Sequence, residues 1–69
     1  GLYNISTPTN NPKPGDLVFF KGTYDTPGVS HVGIYVGDGW MLDCGDPIHY
    51  SNLNTSYWQS HFYAYGKLY

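Results

Sequence analysis

Residues His31 to Cys44, HVGIYVGDGWMLDC, set the strongest limit on what this chain can fold into. Val32, Ile34 and Val36 alternate with His31, Gly33 and Tyr35, the period-two pattern of a half-buried strand. The run after Gly37-Asp38-Gly39 returns antiparallel to it, and the turn decides which residues share a face. A two-residue turn at Asp38-Gly39 pairs Gly37 with Trp40 and sets Met41 and Asp43 beside the three aliphatic residues. A three-residue loop, Gly37 to Gly39, pairs Val36 with Trp40, so that Trp40, Leu42 and Cys44 join the apolar face while Met41 and Asp43 join His31. A carboxylate buried without a partner costs far more than a turn preference is worth, so the three-residue loop is expected.

In that register Asp43 lies opposite Gly33 and diagonal to His31, within reach of its imidazole, and Gly33 leaves the space between them open. The expectation is a histidine oriented by a carboxylate on the exposed face of a sheet. Cys44 points to the other side and reads as a small core residue. Spacing alone also fits a surface ion pair, and chemistry needs a third group.

Around this hairpin the chain reads as short strands. Residues 1–13 form an extended lead-in ending in the Pro14-Gly15 turn, whose Asp16 fixes the entry to a strand over Asp16 to Lys21. Leu17 to Phe20 is continuously apolar, which predicts burial on both sides. The loop Gly22 to Ser30 sets Tyr24 and Asp25 near the mouth of any groove at His31, and Tyr35 shares the His31 face, so Tyr24 and Tyr35 are the groove candidates. Beyond the Gly45-Asp46-Pro47 turn, Ile48 to Tyr50 is a short strand. Ser56 to His61 fits one helical turn with a capping box from Ser56 to Gln59, and Phe62 to Leu68 is a final strand. His49 and His61 read as polar surface or turn residues. The sum is a mainly β chain: a small antiparallel, barrel-like sheet of about five strands with one short helical turn. No long helix covers it, so the missing layer is expected from another part of the protein or from a second copy.

Composition narrows the function. At 69 residues with one cysteine, the chain is at most one small domain without an internal disulfide. Three lysines, no arginine and a net charge of −2 argue against nucleic acid, and no apolar run is long enough to span a membrane. Eight Tyr, three Phe and two Trp suit a groove for sugars or peptides. His31 and Asp43, with His49 or Asp46, are types that zinc accepts, but a single His/Asp pair chelates poorly, and neither metal nor cofactor is expected. Low charge and richness in Asn, Thr, Ser and Tyr suggest an extracytoplasmic protein.

Three segments, PGDLVFF at 14–20, HVGIYVGDG at 31–39 and GDPIHY at 45–50, together resemble the NlpC-type (NlpC and p-sixty) cell-wall peptidases. These are papain-like cysteine peptidases; the GDP turn and the YWQ segment look most like catalytic domains of phage-like and conjugative-element wall hydrolases. The resemblance implies that His31 is the family histidine and that Asp43 stands at the third catalytic position, usually His, Asn or Gln. An aspartate there can still accept the imidazole N–H and hold the ring. The family's cysteine lies on a helix upstream of the PGD strand, whereas residues 1–30 contain no cysteine and Cys44 is on the wrong face. Residues 14–69 are therefore expected to be the sheet portion of such a domain, without its N-terminal helical half and inactive alone. The implied reaction is cleavage of stem-peptide bonds in the bacterial cell wall, typically after a D-glutamyl residue. The alternative is a non-catalytic module that binds wall peptides or glycans through its Tyr and Trp residues.

Overall fold

A computed structural model describes residues 2–45 and 47–68. Six strands form one antiparallel sheet: β1 (Thr7–Thr9), β2 (Leu17–Lys21), β3 (Val29–Gly37), β4 (Trp40–Asp43), β5 (His49–Asn52) and β6 (Phe62–Lys67), in the order β1-β6-β2-β3-β4-β5. Helix α1 (Leu2–Ile5) precedes the sheet and α2 (Ser56–His61) connects β5 to β6. The mainly antiparallel architecture agrees with the sequence. The sheet is open, with β1 and β5 at its edges, and the lead-in holds a helical turn and an edge strand that its composition concealed. Pro8 is tolerated in β1 because an edge strand can spare one amide.

The apolar run Leu17–Phe20 occupies the interior strand β2, paired with β3 on one side and β6 on the other, and all four of its residues are buried. Leu17 and Phe19 point to one face, Val18 and Phe20 to the other. Tyr3 of α1 covers Phe19, ring edge to ring at 5.2 Å. On the second face Val18 and Phe20 join Met41 and Leu53 in the core, with Tyr35, Trp58 and Tyr65 packed against it. Strand entry follows the expected chemistry. The amide of Asp16 donates to the Lys13 carbonyl at 2.9 Å across Pro14-Gly15, Gly15 takes a φ of 100°, and the Asp16 carboxylate accepts from the Lys13 amide at 2.9 Å.

The hairpin turn combines the two alternatives. Gly37 pairs with Trp40 around Asp38-Gly39, whose φ values of 54° and 80° are those of a tight mirror-image turn. A bulge at Val36 then absorbs one residue, so that Tyr35 faces Met41 and Gly33 faces Asp43. The expected three-residue loop is thus replaced by a two-residue turn plus a bulge, with the same alignment below it.

The expected faces need correction. Met41 and Asp43 do share the His31 side, but that side is the covered one: Met41 is fully buried and Asp43 is 4% exposed. Residues 53–61 fold back over it. Gly33 does not leave a void, because the Met41 side chain fills the space and a Cβ on Gly33 would strike its sulfur. The capping box is absent too. Thr55 stands at the N-cap without a side-chain hydrogen bond, and the Gln59 side chain instead donates to the Leu53 carbonyl at 2.8 Å.

Candidate active site

The carboxylate of Asp43 is the centre of the site. It ends β4 directly opposite Gly33, and strand alternation turns it toward His31, two residues earlier on β3. His31 Nε2 lies 2.6 Å from Asp43 Oδ1, the short separation of a charge-assisted hydrogen bond. Oδ1 also accepts from the Gly45 amide at 2.9 Å, and Oδ2 accepts from the Ser51 hydroxyl at 3.4 Å. These donors offset the cost of burying the carboxylate, the cost that made an exposed Asp43 the natural expectation.

The imidazole is held by more than its hydrogen bond. Trp58 of α2 stacks on it, with centroids 5.5 Å apart and planes 22° from parallel, and Phe20 lies behind at 6.0 Å. Phe20 and Trp58 also pack on each other at 4.6 Å. A six-residue helix is marginal alone; this aromatic contact anchors it, and in return it fixes one side of the His31 ring. The His31 side chain keeps 20% exposure. A cavity of about 480 Å³ lies on the Phe19 face of the sheet, lined by Tyr3, Phe19, Val32 and Tyr63, and it reaches Ser30 and His31 along β3. With Nε2 engaged by Asp43, Nδ1 makes no hydrogen bond among the described residues.

The other candidates are placed differently. Tyr35 shares the His31 face but sits half-buried near the turn, its hydroxyl accepting from the Gly39 amide at 3.3 Å and its ring edge-on to Tyr65. Tyr24 is 63% exposed on the loop between β2 and β3. Cys44 is an exposed residue rather than a core one, its sulfur 4.0 Å from the Leu42 carbonyl, because no described residue packs over that part of the sheet. Asp46 falls outside the described residues.

Trp58, Gly45 and Ser51 escape sequence reasoning as members of the site, and His49 reads from sequence only as a surface or turn residue or a zinc-type ligand. His49 pairs across β4–β5 with Asp43, and its Nε2 is 3.4 Å from Asp43 Oδ2. The available signal was its position just beyond the GDP turn, but the register across that loop depends on backbone geometry that residue types leave open. His61 has a structural role, donating from Nδ1 to the Lys21 carbonyl at 2.8 Å. Among the described residues no group of three or more acidic, histidine or cysteine side chains is arranged to hold a metal ion.

An open antiparallel sheet with a short covering helix and a carboxylate-bound histidine at its centre defines the class. The chain belongs to the NlpC/P60 family, whose pattern matches residues 2–67. It is 49% identical over 55 residues to the bifunctional muramidase/DL-endopeptidase CwlT of Bacillus subtilis (strain 168), covering 78% of this chain and 17% of that protein. It is 44% identical over 52 residues to the gamma-DL-glutamyl hydrolase of the same organism, covering 72% of this chain and 12% of the relative. Its fold is similar to the crystal structure of an NLP/P60-family lipoprotein-like protein from Staphylococcus aureus, with a TM-score of 0.85 and 33% identity over 96% of this chain and 23% of that one. The chain thus spans less than a quarter of each of these relatives.

Proposed function

We propose that this chain supplies the histidine–carboxylate half of a cysteine endopeptidase acting on bacterial peptidoglycan outside the cytoplasm. The observation that carries the reading is the 2.6 Å bond from His31 Nε2 to the buried Asp43, which fixes the ring and leaves Nδ1 available as a base. The nucleophilic thiol is contributed from outside residues 1–69. Cys44 does not fit the role, since it follows Asp43 on the strand path and is turned from the imidazole.

In the proposed reaction Nδ1 takes the proton of the thiol, and the thiolate attacks the carbonyl carbon of the stem-peptide bond. The imidazolium then protonates the leaving amine, and a thioester remains. Water, deprotonated by Nδ1, cleaves the thioester and restores the thiol. Asp43 pairs with the imidazolium each time it forms and prevents the ring from turning. The likeness to a DL-endopeptidase and to a gamma-DL-glutamyl hydrolase supports a bond that follows a D-glutamyl residue as the substrate proposed here.

The test is hydrolysis of purified stem peptides by the protein that contains this chain. His31→Ala lowers kcat by about 10²- to 10⁴-fold, the usual contribution of a general base, while Cys44→Ala leaves it unchanged, and residues 1–69 alone show no turnover. Turnover by residues 1–69 that disappears on Cys44→Ala contradicts the proposal. Stem-peptide binding without hydrolysis, retained on His31→Ala, would instead mark a binding module.

A further inference from the structure

We propose that His49 is a positioning residue for Asp43: it holds the second carboxylate oxygen, and does so while its ring carries a proton on both nitrogens. The inference rests on the reading of His31 and Asp43 as the reacting pair, and adds a residue that reading does not contain.

The geometry decides the protonation state that the contact needs. His49 Nδ1 lies 2.6 Å from the Pro47 carbonyl oxygen, which can only accept, so Nδ1 is the N–H. In a neutral ring Nε2 is then a bare lone pair, and at 3.4 Å it faces the Asp43 Oδ2 lone pairs. That arrangement is repulsive. With a second proton on Nε2 the ring is a cation, and the same 3.4 Å placement becomes an ion pair with the carboxylate. The His49 side chain is 51% exposed, so water can deliver this proton, whereas the Asp43 side chain is 5% exposed.

The two carboxylate oxygens are divided between partners. Oδ1 serves His31 and the Gly45 amide; Oδ2 has Ser51 and His49, both at 3.4 Å. Holding Oδ2 fixes the rotation of the carboxylate and so the direction in which Oδ1 meets His31. No other described charge competes at this point. β5 is an edge strand whose one sheet neighbour is β4, and Asp43 is the charged side chain β4 presents. His31 lies beyond it on β3, the Cys44 thiol faces Leu42, and His61 of α2 is tied to the Lys21 carbonyl.

The experiment compares wild type, His49→Ala and His49→Gln in the protein that contains this chain, across the acid-to-neutral range. It has two readouts: kcat and KM on purified stem peptides, and the solvent-exchange rate of the His31 Nε2–H proton by NMR. Glutamine is neutral and its amide can donate to Oδ2 at every pH. His49→Ala is expected to speed exchange and lower kcat by about two- to fivefold at acid pH, the scale of a half-exposed ion pair, with KM unchanged. His49→Gln restores both. Unchanged exchange and kcat in His49→Ala, or identical behaviour of the two variants, overturns the proposal. Because exchange reports on the His31–Asp43 bond without turnover, it answers for His49 even if His31→Ala retains activity and the peptidase reading itself fails.

Discussion

The two faces of the sheet are both apolar in sequence and differ sharply in structure. On the His31 face, Val18, Phe20 and Met41 are fully buried beneath residues 53–61. On the other face Leu17 and Phe19 are buried and Tyr3 covers Phe19, but the cover gives out toward β4 and β5: Val36 is 39% exposed, Trp40 43% and Tyr50 66%. The face with the longest aliphatic alternation, Val32-Ile34-Val36, is therefore not this chain's core. The face that carries the polar pair is. Alternation marks a face that favours cover, but which face receives it is decided by what else the chain can fold onto it.

Substitutions on the two faces can break this comparison. Phe20→Ala should destabilise the fold by about 3–5 kcal/mol, since it empties a fully buried site and removes the support of both Trp58 and His31. Val36→Ala, at a bulge on the open face, should change stability by no more than about 0.5 kcal/mol. Chemical denaturation of both variants measures the contrast, and equal costs would mean that the open face is covered in solution.

A smaller effect sharpens the picture at the rim of the core. Burial, with a lesser contribution from Tyr35, raises the Tyr65 phenol above its ordinary 10.0. Its contribution to stability is fully present below pH 10 and is lost as the pH rises through the raised folded value. Tyr65→Phe should therefore unfold less readily in alkali than wild type, with no difference at neutral pH, as measured by thermal melts across the alkaline range.

Much of the site was legible because it rests on one hairpin. The aliphatic alternation and the cost of a stranded carboxylate are enough to put Asp43 opposite Gly33 and within reach of His31, although the turn is a two-residue one followed by a bulge rather than a three-residue loop. The bulge at Val36 was not legible: a tight Asp38-Gly39 turn and the core-favoured alignment looked exclusive, and one extra residue satisfies both. The cover over Asp43 was hidden for another reason. It comes from Leu53 and Trp58, beyond a loop whose path depends on backbone angles, so a buried but well-bonded carboxylate was not foreseen. Composition likewise hid α1 and β1, since Thr-Pro-Thr has little strand character until β6 pairs with it.

The account turns on the orientation of a single ring, and the nitrogen NMR spectrum of His31 in the protein tests it most directly. The account predicts that the neutral imidazole carries its proton on Nε2, bonded to Asp43, and leaves Nδ1 bare, with this tautomer lost on Asp43→Ala. A proton on Nδ1, or a mixture like that of free imidazole unaffected by Asp43→Ala, would contradict it.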